Sequence, residues 1–212
     1  MRHNIIILTF ALAAGTALIQ PTPTAAQATK PGSIISLNDF KNELSLLQNH
    51  ITATADSLQQ VKDSAKDEAA LSKAAADFQS RFQALENHVS NVRTQAVVVK
   101  ARAKEHFDSW QKELTALQSA KIREKAQERF TETRERFDKI VATAERAKEE
   151  VLPFVSELKD ISLYLQTDLS QDAVKSLPNT IWKLGNRAKS ANGSLTDVIE
   201  EIDRTIKSMP KQ

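Results

Sequence analysis

Histidine and the acidic residues are the side chains of this chain that could bind a metal ion or move a proton. On helices, metal ligands converge through spacings such as Glu-x-x-His or two histidines one turn apart, and neither occurs here. His88 and His106 are 18 residues apart, about 27 Å along one helix, so they cannot share an ion. The sequence therefore predicts no metal site. We expect His50 and His88 at the surface and His106 packed in an apolar seam.

Other catalytic arrangements are also missing from the sequence. The chain has no cysteine, and its four glycines form neither a Gly-x-Ser-x-Gly turn nor a phosphate-binding loop. Because 26% of the residues are charged, the acidic residues are expected to line solvated helix faces. We predict no catalytic residue, no cofactor and no small-molecule substrate.

Basic residues are in local excess in one region. Between Lys100 and Arg136, ten Lys and Arg stand against seven Asp and Glu. Because opposite charges interleave there, an ordinary solvated helix face is the competing interpretation. The candidate interaction tip consists of Lys112, Lys121, Arg123, Lys125 and Arg129. The apolar residues expected beneath it are Trp110, Leu114, Leu117 and Ile122.

These residues lie in a stretch of 120 residues, Ser33 to Leu152, that contains neither glycine nor proline. Within it, apolar or small residues recur every 3.5 positions or so, the heptad pattern of a coiled coil. The first seam consists of Leu71, Ala75, Phe78, Phe82, Leu85, Val89, Val92, Ala96, Val99, Ala103, His106 and Trp110. The second consists of Ala126, Phe130, Thr133, Phe137, Ile140, Ala144, Ala147, Val151, Phe154, Leu158, Ile161 and Leu165.

The two seams mirror each other and so predict an antiparallel helical hairpin. Both patterns lapse together only between Leu117 and Ile122, where Ser119 can cap the following helix. We therefore place the turn there. The pairs predicted to meet across the hairpin include His106 with Phe130, Phe82 with Phe154, and Trp110 with Ala126.

The complete pattern predicts four helices, at about residues 37–62, 67–117, 120–168 and 178–209. Pro153 should kink the third helix, and Gly193 leaves open whether the fourth is one helix or two. Trp182 lies beside the apolar stripe of the fourth helix and is expected to pack. The outer helices are about half as long as the hairpin arms, so they should thicken its open end into a three- to four-helix bundle. The predicted fold is all-α, with residues 100–135 as a narrower tip.

The first 28 residues predict export. Arg2 and His3 precede an apolar run, Ile5 to Ile19, and small residues up to Ala28 fit a signal peptidase site. The run of about 15 residues is shorter than the roughly 20 needed to span a bilayer. We predict a secretory signal peptide at 1–28 and one elongated helical domain at 29–212. Without cysteine, a lipoprotein anchor is excluded, so we expect a soluble periplasmic or secreted protein.

The charge balance argues against a nucleic-acid partner. Removal of residues 1–28 deletes only Arg2 among the charged residues, which leaves 28 Lys and Arg against 27 Asp and Glu. So small an excess provides no sustained field to attract phosphates. A protein partner in the cell envelope, self-association or a membrane surface fits this balance better.

From Trp110 onward the sequence resembles a family of uncharacterised bacterial helical proteins that is known only as a domain of unknown function. The resemblance covers about a third of the chain, up to Leu177. It implies a helical fold and transfers no activity. The residues that carry it are Trp110, Glu113-Leu114, Ile122-Arg123, Thr133, Phe137, Ala147, Pro153, Asp160, Leu163, Leu165, Leu169, Ala173 and Ser176-Leu177.

Length and seam are the developed features of the sequence, and they favour a non-enzymatic exported protein of the envelope. Its expected role is that of a scaffold, a spacer or a stalk that binds a partner or client. One alternative is a peripheral membrane protein that binds through an opened amphipathic helix. A second alternative is an undetected hydrolase.

Overall fold

A computed structural model of the chain describes residues 31–208, with side chains from Leu37 onward. Every regular element in this range is an α-helix, which confirms the all-α prediction. The helices are α1 (Pro31–Asp63), α2 (Glu68–Ala116), α3 (Ala120–Thr167), α4 (Gln171–Lys175) and α5 (Pro178–Ser208). The predicted signal peptide, residues 1–28, lies outside the described residues.

Short polar residues set the starts of the helices, as the sequence suggests. The Asp67 carboxylate accepts the N–H of Ala70 at 2.9 Å and caps α2. Ser170 caps α4 in the same way. α1 begins at Pro31, earlier than predicted, because proline suits the first position of a helix.

Proline and glycine weaken helices, yet α3 continues through a proline and α5 continues through glycine. α5 runs unbroken through Gly193, which answers the question that the sequence leaves open. α3 includes Pro153, whose ring lacks the N–H that would bond to the carbonyl of Glu149. The kink at Pro153 stays a prediction.

The four long helices are neighbours in the order α1, α2, α3, α5 and back to α1. Ion pairs and hydrogen bonds place consecutive neighbours antiparallel. Lys41 Nζ lies 2.8 Å from Asp203 between α1 and α5, and Lys100 Nζ lies 2.8 Å from Glu145 between α2 and α3. α4 is a short connection between α3 and α5.

The main core runs along this bundle, and apolar residues of every long helix contribute to it. Phe82 and Phe154, which the sequence pairs, are both buried in it. Among its fully buried side chains are Phe78, Phe154, Leu58, Leu85, Leu158, Leu184 and Ile202. This end of the molecule is a bundle of four long helices, as the sequence predicts.

α1 and α5 cover only part of the hairpin. They contain 33 and 31 residues, against 49 in α2 and 48 in α3. Near the end of α5, Glu201 pairs with Lys139 of α3; α5 ends at Ser208, whereas α2 and α3 continue to the turn between them. We call residues 100–135 the stalk tip and the four-helix part the body. A second, smaller apolar cluster fills the stalk tip.

The surface prediction for His88 is wrong because α1 covers a face of α2 that the hairpin alone leaves open. His88 is buried on that face, and its ring lies 4.9 Å from that of His50 on α1. The prediction for Trp182 is wrong in the opposite direction: its side chain was expected to pack, but it is 68% exposed. It directly follows the buried Ile181, so it points away from the core that the stripe faces.

Candidate interaction surface at the stalk tip

The turn of the hairpin lies where the sequence places it. α2 ends at Ala116, and Ser119 accepts the N–H of Ile122 at 3.5 Å as the N-cap of α3. The Arg123 side chain reaches back and donates to the carbonyl of Leu117 through Nε at 3.0 Å and through Nη2. Carbonyls at the end of a helix lack an intrahelical partner, so this contact closes the end of α2.

Aromatic rings hold the two helices of the stalk tip together. Phe107 is buried and meets the edges of Phe130 and Phe137, with ring centres 5.8 and 5.9 Å away. Trp110 is half-buried and contacts Phe130 at 5.4 Å. His106, predicted to face Phe130, is half-buried beside Phe107 and Trp110. The sequence analysis missed Phe107, although its spacing from Ala103 and Leu114 marks the same helix face.

The five basic residues of the candidate tip are all exposed. Arg123 is engaged with the Leu117 carbonyl, so its contribution is largely to the turn. For the other four, Lys112, Lys121, Lys125 and Arg129, the contacts found within residues 37–208 include no ion pair. Lys112 interacts electrostatically with Asp108, and the cationic groups of the other three face solvent.

Ile122 is the apolar residue at the turn that the sequence places wrongly. It is expected beneath the basic residues, yet it is 47% exposed. Leu117, on the other side of the turn, is half-buried. The ten residues from Leu114 to Arg123 contain no acidic side chain, so the end of the hairpin combines positive charge with an exposed aliphatic group.

Away from the tip, one polar cluster joins α1 to α2. His88 Nε2 lies 3.0 Å from the backbone carbonyl of Glu43 and 3.5 Å from its carboxylate. Burial lowers the pKa of His50, and the neighbouring His88 lowers it further. Two histidines and one carboxylate on a packed helix pair resemble a ligand set, but no such group in the described chain has metal-binding geometry.

A buried carboxylate joins α5 to α3 where the body meets the stalk. Glu201 is 5% exposed, and it accepts from Lys139 Nζ at 3.0 Å and Arg204 Nη1 at 2.9 Å. Burial alone raises the pKa of this carboxyl group, but the two cations outweigh that effect and hold the pKa below its usual value. Glu201 is thus a paired structural acid.

One open cleft of about 410 Å³ lies between α1 and α2 beside the stalk. Its charged residues are Asp39, Glu43 and Arg102, and Val98 and Val99 form its apolar part. It contains no histidine, serine or threonine that a neighbouring base could activate. In the part of the chain from 31 to 208, no helix is long and apolar enough to cross a membrane.

Comparison with protein families identifies the chain. The model of the family "protein of unknown function, DUF2959" matches residues 36–209. The chain belongs to the DUF2959 family. The match extends well beyond the segment from Trp110 to Leu177 in which the sequence resembles such a family, and it includes both the body and the stalk tip.

Searches of the curated proteins and of the solved structures returned no significant match to this DUF2959 chain. The family description assigns no activity, ligand or partner. The function of the DUF2959 chain therefore has to be argued from its own geometry.

Proposed function

We propose that this protein is a non-enzymatic, exported scaffold of the bacterial cell envelope. In this proposal the body is a spacer, and the stalk tip binds a partner at a distance from it. The observation that carries the proposal is the stalk tip: α2 and α3 continue past the first turn of α1 and the last turn of α5, with an apolar cluster of their own.

A separate cluster matters because an extension of a hairpin needs its own packing to stay straight. Isolated helices are marginal in water, and most of their stability comes from an apolar face that packs. In the stalk tip Phe107, Phe130 and Leu114 provide that face, and the guanidinium of Arg134 lies 5.3 Å above the Phe107 ring. A stalk maintained in this way positions its end at a fixed distance from the body.

Site-specific crosslinking in intact cells tests the proposal. A photoreactive residue replaces Gln118 at the turn, and in a second strain it replaces Gln60 near the far end of α1; both positions are exposed. We expect adducts with another envelope component from position 118 and not from position 60. Adducts from position 60 alone, or from neither position, would contradict a partner-binding stalk.

A second candidate function, peripheral membrane binding, has a specific observation in its favour. Membrane binding would not require a helix to open, because Ile122 is already exposed among cations at the closed turn. The stalk would then be a spacer between the body and a lipid surface.

A further inference from the structure

We propose that the apex of the stalk, residues 114–123, docks on a lipid surface that carries anionic headgroups. The proposal rests on the proposed function, since it names the partner that the stalk tip contacts.

The apolar contribution comes from the turn itself. Ile122 is 47% exposed and is not part of the apolar cluster that Leu114 joins at this end of the hairpin. Leu117 is half-buried, and Ala116 and Ala120 are exposed. A single aliphatic side chain at a convex end can enter the boundary between headgroups and acyl chains without unfolding the hairpin.

The charge of the apex complements an anionic surface. No carboxylate occurs between Glu113 and Glu124, while Lys121 is exposed beside Ile122. Lys112, Lys125 and Arg129 lie within about three turns of the end, and within the described chain they form no ion pair. Basic side chains around an exposed aliphatic group attract anionic headgroups while the aliphatic group enters the interface.

The shape of the apex favours lipid over protein as the partner. A helix with its side chains is about 10 Å wide, so the end of a two-helix hairpin offers an area on the order of 200 Å². A stable protein interface buries about 800 Å² on each partner. A bilayer sets no such minimum, because each cation and each inserted side chain contributes independently.

Vesicle flotation of the processed protein tests the proposal against a matched control. The tip variant combines Lys112→Gln, Lys121→Gln, Lys125→Gln and Arg129→Gln. The control variant removes four exposed cations of the body, through Lys66→Gln, Lys73→Gln, Lys183→Gln and Lys189→Gln. Both lose the same charge, and Arg123 is kept because it closes the turn.

On vesicles of phosphatidylglycerol and phosphatidylcholine at low salt, we expect the parent and the control to float together. Each cation near such a surface strengthens binding about fivefold, so the tip variant should bind on the order of several hundredfold more weakly. The difference should shrink at about 1 M salt, where charges are screened beyond about 3 Å. Equal flotation of the tip variant and the parent, or an equal loss in the control, would overturn the proposal.

Ile122→Ser provides an independent variant, since the exposed side chain contributes little to folding. We expect about a tenfold loss of binding with an unchanged melting temperature. Undiminished binding of Ile122→Ser would contradict insertion at the apex. A protein adduct at position 118 without vesicle binding would contradict the lipid partner but leave the partner-binding stalk standing. Vesicle binding with adducts only at position 60 would contradict the partner-binding stalk.

Discussion

His88 is the residue whose placement changes most between sequence and structure. A buried imidazole has to satisfy its ring nitrogens, and a backbone carbonyl can only accept a hydrogen bond. Because Nε2 lies 3.0 Å from the carbonyl of Glu43, this nitrogen carries the proton and donates. His50 lies against the His88 ring, where a second positive charge is unfavourable.

The His50–His88 pair predicts a pH dependence of stability. Burial and His88 lower the pKa of His50 in the folded state, so the unfolded chain binds the proton more readily. Stability is therefore full above the unfolded pKa of about 6.5 and decreases as the pH falls below it. We expect His50→Gln to reduce this decrease, as measured by urea unfolding between about pH 5 and pH 8. If the free energy of unfolding of the variant depends on pH as steeply as that of the parent, the His50–His88 pair does not contribute to this dependence.

Single residues also show where sequence patterns fail. The hairpin seam divides α2 into an inner face, which packs on α3, and an outer face. His88 lies on the outer face, which α1 covers in the complete bundle. Trp182 adjoins an apolar stripe, but the 100° step from Ile181 takes its ring out of the core. Both errors concern which neighbour covers a face, and spacing along one helix contains no such information.

Among the helices, α5 contains two glycines without a structural need for them. A Cβ atom added at Gly185 or Gly193 would meet no atom within 4 Å. We expect Gly193→Ala to raise the free energy of unfolding by about 0.5–1 kcal/mol, because alanine lowers the conformational entropy of the unfolded chain. Chemical denaturation of the variant measures this gain. A loss of stability would mean that the helix bends or is contacted at Gly193.

The stalk tip should respond to mutation separately from the body. Phe107→Ala removes a ring that is 5% exposed and should cost about 3–5 kcal/mol of local stability. Trp110→Ala should cost less, since Trp110 is only half-buried. Hydrogen exchange checks both: amides of residues 103–133 should lose protection, while those around Phe78 keep it. Equal loss throughout the chain would show that the tip and the body unfold together.

The ends of helices are where the sequence analysis succeeds best. Ser119 and Ser170 were identifiable as caps, and Asp67 as the approximate start of α2, because a short polar side chain next to a periodic stripe acts on its own backbone. The turn beside the candidate tip was likewise placed correctly, between Leu117 and Ile122. The exposure of Ile122 and the role of Arg123 in closing α2 depend on how the chain bends in three dimensions, which periodicity does not report.

At the scale of the whole molecule, the elongated shape followed from helix lengths alone, whereas the order of neighbours around the body did not. Each outer helix could lie on either side of the hairpin according to its own stripe. Pairs such as Lys41 with Asp203 and Arg187 with Glu157 place α5 between α1 and α3, and they are distant in sequence.

Export is the prediction for the chain as a whole. The apolar run and the site after Ala28 predict that a cell releases a protein that begins at Thr29. N-terminal sequencing of the protein from the periplasmic fraction or the medium measures this directly. Protein that begins at Met1, or that stays in the cytoplasm, would contradict the proposed location in the cell envelope.

The separate packing of the stalk tip makes its length adjustable. Because the seam repeats every seven residues, deletion of seven residues from each arm keeps apolar side chains facing each other. Removing 93–99 and 137–143 together would cut into the body. Removing 108–114 with 122–128 would shorten the stalk by about 10 Å and would also remove the Arg123 contact at the turn. The distance between the body and the apex can therefore change in steps of one heptad, while the fold of the body stays the same.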